Sequence, residues 1–327
     1  MKINIILSVL FLSSPVWGQG PDAWDVLRES LETPSVGYEA ELTVTPPGRQ
    51  MSVRFSPPGL YRRELLNPSG QVEKLVVDDG KTEWIYDSAQ RKAWQGESAD
   101  PIFKRLGPDE EFDQLQENYE LSLSPGGLVA GRPCWKLELR KREGQVLARR
   151  LWIDKAKSLI LKSETFRPDG SLKESVLFTR LKFVAKQDAA KFVFSPPPGT
   201  AVVQRAAPDY LALDEAKTAG LKPQLPAWLP SGYVFESLDV MAKGKSRILH
   251  CRFSDGLSAI SLFEGSSRMR LNFGKSQKQR VKLAIGRGTL TETAEGNVLS
   301  WTFGGRRFIL VGAVSASTLQ KMAESVK

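Results

Sequence analysis

His250 is the only histidine in 327 residues, so a Ser-His-Asp or Cys-His nucleophilic arrangement has a single possible general base. Its neighbours Leu249 and Cys251 place it in an apolar, strand-like run, where a hydrogen-bonded structural histidine suits the surroundings better than a catalytic one. Carboxylates that could ligate Mg²⁺ or Ca²⁺ come as Asp78-Asp79 and Asp109-Glu110-Glu111. The first pair lies in the turn sequence Asp78-Asp79-Gly80-Lys81. The second group opens a helical segment, whose N-terminus favours negative charge without any metal. GxSxG, HExxH, P-loop, GxGxxG and CxxC patterns are absent from the sequence. The sequence therefore predicts no enzyme, no catalytic residue, no cofactor and no metal site.

The remaining chemistry is binding. Large apolar side chains recur along strand-like segments: Trp84, Tyr86, Trp94, Trp135, Leu137, Leu139, Leu151, Ile153, Val176 and Phe178. They can fill a dry core or line an apolar ligand cavity, and composition alone does not choose. A second candidate is the acid-free basic run Arg268, Arg270, Lys275, Lys278, Arg280, Lys282 and Arg287, to which Arg306 and Arg307 can add. Such a run suits phosphates or an acidic peptide, although any one of its charges suits a solvated face equally well. The chain carries a net charge of +9, which points to anionic partners.

Residues 130–183 must position the first set. Trp135, Leu137 and Leu139 alternate with Lys136, Glu138 and Arg140, the period of a half-buried strand. Leu147, Leu151 and Ile153 follow on one face, then Leu159, Ile160 and Leu161. Arg167-Pro168-Asp169-Gly170-Ser171 supplies a turn, because proline presets φ and Asp-Gly tolerates positive φ. The segment reads as a four-stranded antiparallel meander with one apolar and one charged face. Further strands are expected at 37–44, 51–55, 60–66, 72–77, 82–86 and 91–94. Helices are expected at 21–33 and about 109–116, and a closing strand within 192–203.

Lys2, the apolar run 3–12 and Val16-Trp17-Gly18 read as a cleavable signal peptide over 1–18. The run is shorter than the roughly 20 residues of a membrane span. Export makes nucleic acid an unsuitable partner. Cys134 and Cys251 are too few for a disulfide framework and read as small buried hydrophobes, with a bond between two domains as the alternative that export permits. A proline-bearing linker, 204–226, separates a domain at 19–203 from a smaller one at 227–327, and holds a short helix at 213–220. Strands are expected in the smaller domain at 234–240, 248–253, 259–263, 269–273, 289–294, 298–303 and 308–311. A last helix, 315–326, has Ser315 as N-cap.

Several phrases carry a family resemblance. "AGR-C", "RRLWIDK-LILKSE", "DG-L-E" and "FT-L" within 130–183 resemble the MucB/RseB N-terminal domain, itself similar to the lipoprotein carrier LolA. "FSPPGLYRRELLNPSG", "VVDDGKTEWIYDSAQRKAW" and "FVFSPPPGTAVV" extend the LolA-like pattern. "LPSGY", "FSDGLSAISLFEG" and "FILVGAVSASTLQKMAESV" resemble the MucB/RseB C-terminal domain, which LolA lacks. The resemblance implies an α+β fold: a LolA-like curved antiparallel half-barrel closed by helices, plus a smaller antiparallel β domain with a C-terminal helix. It implies a periplasmic regulator of an extracytoplasmic sigma-factor response, which binds the periplasmic segment of a membrane anti-sigma factor and senses lipid, lipopolysaccharide or acylated protein. A LolA-type lipoprotein carrier is the alternative.

Overall fold

The computed structural model describes residues 20–98, 108–205, 211–243, 246–270, 277–293 and 296–327. Helix α1, Ala23–Leu31, starts at Asp22, whose carboxylate accepts the backbone N–H groups of Trp24 and Asp25. Six strands follow: β1 Gly37–Thr45, β2 Arg49–Ser56, β3 Leu60–Leu66, β4 Val72–Asp78, β5 Thr82–Asp87 and β6 Lys92–Glu97. Helix α2, Pro108–Asn118, runs directly into β7, Tyr119–Val129. The expected meander is β8 Arg132–Lys141, β9 Leu147–Asp154, β10 Ile160–Phe166 and β11 Leu172–Val184. Where one closing strand is expected, the chain makes a 3₁₀ turn, Ala189–Phe192, and then the short strand β12, Ala201–Gln204.

These strands form one open twelve-stranded sheet in the order β12-β6-β5-β4-β3-β2-β1-β11-β10-β9-β8-β7. Neighbours run antiparallel except β12 and β6, which are parallel. A bulge interrupts β1–β11 between Glu41 and Leu42, and others mark β8–β9 and β9–β10. Bulges bend and twist a sheet locally.

The rest of the described chain builds a seven-stranded antiparallel sheet. Its strands are β13 Val234–Lys243, β14 Ser246–Ser254, β15 Ala259–Ser266, β16 Lys278–Leu283, β17 Gly286–Thr293, β18 Gly296–Phe303 and β19 Arg306–Gly312. Their order is β13-β14-β15-β19-β18-β17-β16. Helix α3, Leu213–Thr218, precedes the sheet, and bridges Leu211–Leu238 and Pro226–Val326 tie the intervening chain to it. Helix α4, Ala316–Glu324, is capped by Ser315, whose hydroxyl accepts the Thr318 N–H at 3.1 Å. Leu319, Met322 and Ala323 bury against Leu262, Leu299 and Leu310 in a single core. Among the described residues the fold class is thus as expected: mostly antiparallel, two sheets, few helices and no closed barrel.

Two strands were not among those expected. In β7, Pro125-Gly126-Gly127 breaks the alternation, and the ladder to β8 shifts between Pro125 and Leu128. In β16, the pattern Lys-Gln-Arg-Val-Lys-Leu has only two apolar residues to signal a buried face. Residues 271–273 of the strand expected at 269–273 lie outside the described residues, as do residues 1–18, expected to be a signal peptide, and Lys275.

Candidate functional site: the apolar face of the large sheet

Directly opposed residues on neighbouring strands point to the same face. One row runs Leu123, Leu137, Leu151, Ser163, Val176 and Val44 across β7, β8, β9, β10, β11 and β1. A second, on the same face, runs Leu181, Ala40, Val53, Arg63, Val76, Ile85 and Trp94 across β11, β1, β2, β3, β4, β5 and β6. Trp94, Trp135, Leu137, Leu139, Leu151, Ile153, Val176 and Phe178 therefore share one face. Trp84 and Tyr86 lie on the opposite one. There they hold the ring of Phe194, with centroids at 5.8 and 5.5 Å.

The shared face is not uniform. Over β7–β9 it is filled: Leu137, Leu139, Leu151 and Ile153 pack with Val26 and Leu27 of α1, Phe112 and Leu115 of α2, and Tyr119. The Phe112 ring is sandwiched edge-on by Trp24 at 5.4 Å and by the Arg28 guanidinium at 4.0 Å. Over β1, β2 and β11, Tyr38, Ala40, Leu42, Val53, Phe55 and Phe178 form a separate cluster. The Tyr38 ring stacks on Phe55 at 5.6 Å, and burial pushes its phenol pKa upward. A groove of about 550 Å³ opens here, lined by Ala40, Val53, Leu181 and Ala130 with Glu39, Glu41, Ser52, Arg54, Thr179, Arg180 and Lys182. That volume lies within the roughly 300–1,000 Å³ typical of small-molecule sites. Ala40 is the smallest side chain in its row, and its size leaves room.

Cations also sit on this face, Arg63 in the second row and Arg149 over the filled end. Arg149 opposes Leu139 and Thr165, and its Nε is buried without a hydrogen-bond partner. Burial lowers its pKa, against the opposing pull of Tyr119 and Glu174. The opposite face carries its charges in pairs: Arg150 Nε donates to Glu138 at 2.8 Å, and its Nη1 donates to Glu164 at 3.0 Å. Asp154, fully buried, accepts from Arg132 and from the N–H groups of Ala156 and Lys157, which hold its pKa below the usual carboxylate range against the cost of burial.

A polar contact joins the filled end to the smaller sheet. The β14–β15 turn, Ser254 to Ser258, reaches α2 and β7. Tyr119 Oη donates to Asp255 Oδ2 at 2.8 Å, and Lys141 Nζ lies 2.7 Å from the same oxygen. Asp255 Oδ1 accepts the N–H groups of Leu257 and Ser258, while Asn118 Nδ2 donates to the Asp255 carbonyl and Gln114 Nε2 to that of Ser254. Gly256 has φ +89°, and a Cβ there would lie 2.9 Å from the Leu115 backbone nitrogen. Sequence reasoning passes over Asp255 because Ser-Asp-Gly reads as an ordinary exposed turn.

His250 donates or accepts at Ser261 Oγ, 2.9 Å away, and stacks on Phe263 at 4.3 Å. Burial, with Arg252 nearby, lowers its pKa to about 4. Cys134 and Cys251 are free and buried, and burial raises the Cys251 thiol to about 12. Among the described residues no group of three or more His, Cys, Asp or Glu could hold a metal ion, and no helix is long and apolar enough to cross a membrane. Arg268, Arg270, Lys278, Arg280, Lys282 and Arg287 are all exposed.

An apolar-faced open sheet with helices over one end, joined to a second sheet, defines the class, and comparison with known proteins specifies it. Residues 62–195 match the MucB/RseB N-terminal domain. The match places a MucB/RseB-type N-terminal domain within the large sheet. A curated relative, the sigma factor AlgU regulatory protein MucB of Pseudomonas aeruginosa, is 32% identical over 131 residues. That segment spans 39% of this chain and 39% of the relative. A crystal structure of MucB in complex with MucA(peri) is similar in fold, with a TM-score of 0.60 at 21% identity, covering 94% of this chain and 98% of the other. MucB crystallised alone gives 0.52 at 20% identity, covering 93% and 97%.

Proposed function

We propose that this chain is a periplasmic regulator of an extracytoplasmic sigma-factor response, which binds the periplasmic segment of a membrane anti-sigma factor. The observation that carries this reading is the likeness to MucB over both sheets, since a plain carrier would need only the larger one. On this reading the two sheets are two domains, with the boundary within 204–226, and residues 1–18 direct export.

The groove over Ala40, Val53 and Leu181, extended along the row toward Trp94, takes an acyl chain from a lipid or an acylated protein. The filled end under α1 and α2 is structural. The Asp255 contact is where occupancy of the groove is communicated to the smaller sheet: a ligand that favours one arrangement of α2 against the 254–258 turn changes the affinity for the anti-sigma segment by the same factor that the segment changes the affinity for ligand.

The test is titration of the mature chain with purified periplasmic segments of single-span anti-sigma factors from its source genome, with and without lipopolysaccharide fragments or an acylated peptide. Binding of a segment, weakened by the acyl ligand, is the expected result. If no segment binds, the regulator reading fails, and acyl binding alone would establish the carrier instead.

A further inference from the structure

The apolar row that crosses the large sheet from Leu181 to Trp94 is interrupted once, by Arg63. Arg63 stands directly opposite Val53, which lines the groove, and directly opposite Val76 on its other side. It is exposed, whereas Val76, Ile85 and Trp94 beyond it are half-buried. Its neighbour Arg62 points to the opposite face and pairs with Glu64, which also takes Arg54. Among the described residues no carboxylate pairs with Arg63. The carboxylate diagonal to it on the shared face, Asp78, is buried and already accepts the Gly80 N–H at 2.8 Å and the Ser98 hydroxyl at 2.7 Å.

Tyr61, two residues back on the same strand and face, packs against the Tyr38 and Phe55 cluster. Burial raises its phenol pKa, and Arg63 is close enough to pull it back. Lys74 on β4 opposes Leu65 and adds a second exposed cation to this face. Arg149 stands five strands along in the order β3-β2-β1-β11-β10-β9, about 24 Å at the spacing of neighbouring strands, and is outside this group. An acyl chain laid along the whole row would press methylenes onto a bare guanidinium. It would strip the guanidinium of water and return no hydrogen bond, which is a large cost. The cost disappears if the ligand's own anion stops there, with the chain over Val53, Ala40 and Leu181 and the head on Arg63.

We propose that the groove selects acyl ligands with a phosphate or carboxylate head, and that Arg63 binds that head, with Tyr61 as its positioning residue and Lys74 adding charge. The guanidinium donates hydrogen bonds to the head oxygens, which a neutral head cannot match. The half of the row beyond Arg63, at Val76, Ile85 and Trp94, is then left for a second chain of the same ligand. This inference rests on the acyl-site part of the reading above and is independent of any anti-sigma partner.

The experiment is calorimetric titration of the mature chain with dodecyl phosphate and with monododecanoyl glycerol, each below its micelle concentration. Dodecyl phosphate should bind roughly tenfold to a hundredfold more tightly, the scale of hydrogen bonds to a charged group. The advantage should shrink as salt is added. R63Q should remove the preference while leaving the affinity for the glyceride unchanged, and R63K should keep part of it. R62Q, on the opposite face, should keep all of it. Inorganic phosphate should not compete with dodecyl phosphate. Thermal unfolding confirms that each variant is folded. Equal binding of the two ligands, or a preference that survives R63Q, would overturn the head-group assignment and leave the acyl site standing. Competition by inorganic phosphate as strong as dodecyl phosphate itself would overturn it in favour of a plain anion site. Binding of neither ligand would remove the acyl site and this inference with it.

Discussion

The two sheets solve the same problem in different ways. The smaller buries one face under α4 in a continuous core, which includes Leu238, Cys251, Phe253, Leu262, Leu299, Trp301, Phe308 and Leu310, and gathers Ile248, Met269, Val298 and Ile309 into a small cluster on the other. The larger divides its apolar residues into two buried clusters and leaves space between the floor of β1, β2 and β11 and the turn at Ala130. Charge follows the opposite rule. On the large sheet Glu138, Arg150 and Glu164 neutralise one another across strands, whereas the small sheet leaves Arg268, Lys282 and Arg287 exposed at one end. The smaller sheet is closed in packing and open in charge, and the larger is open in packing and closed in charge across β8–β10.

The largest expected effect tests the packing half of this contrast. Leu310→Ala, in the continuous core, should lower the unfolding free energy by about 2–5 kcal/mol. Val176→Ala on the large sheet, half-buried, should cost only about 1 kcal/mol. Urea denaturation of both variants measures the difference, and similar losses would mean that the large sheet is as tightly filled as the small one.

Asp255→Ala comes next. It strands the Lys141 ammonium and the buried Tyr119 hydroxyl, and should cost about 3 kcal/mol, the scale of breaking a buried ion pair. If the contact joins two otherwise separate cores, the variant should also unfold in two steps. A single transition would show that the cores remain coupled without it.

The third effect depends on pH. Because burial lowers the His250 pKa from 6.5 to about 4, the folded state favours the neutral ring, and protonation favours the unfolded chain. Stability from this source is complete above pH 6.5 and declines as pH falls from 6.5 toward 4. His250→Gln should flatten that part of the denaturation midpoint against pH, and an unchanged slope would assign it to the carboxylates. The smallest effect is Arg150→Met, which breaks the charge ladder and should cost about 1 kcal/mol, less in high salt, because the residues are partly solvated.

The meander was legible in the sequence because β8 and β9 have one solvated face, so Trp135, Leu137 and Leu139 alternate visibly with charge. The facing of β5 was not. Its run Trp84-Ile85-Tyr86 is apolar throughout, with Phe194 packed on the Trp84 and Tyr86 side, and an unbroken run does not reveal which residues share a face. Trp84 and Tyr86 therefore group with Trp94 by type but not by direction. Asp255 was hidden for a different reason: its burial comes from a partner far away in sequence. Ala40 and Val53 line the groove through absence of bulk, which no motif announces.

The parallel pairing of β12 with β6 has a mechanical consequence. All four residues of β12 are exposed, so the strand is held chiefly by its backbone bonds and by Arg205, which pairs with Glu83. A pull on the chain between the sheets would peel this edge before it disturbed either core. Four released residues provide about 13 Å of extra tether. The covalent leash between the sheets is thus adjustable in length, while the Asp255 contact is a separate, non-covalent tie between them.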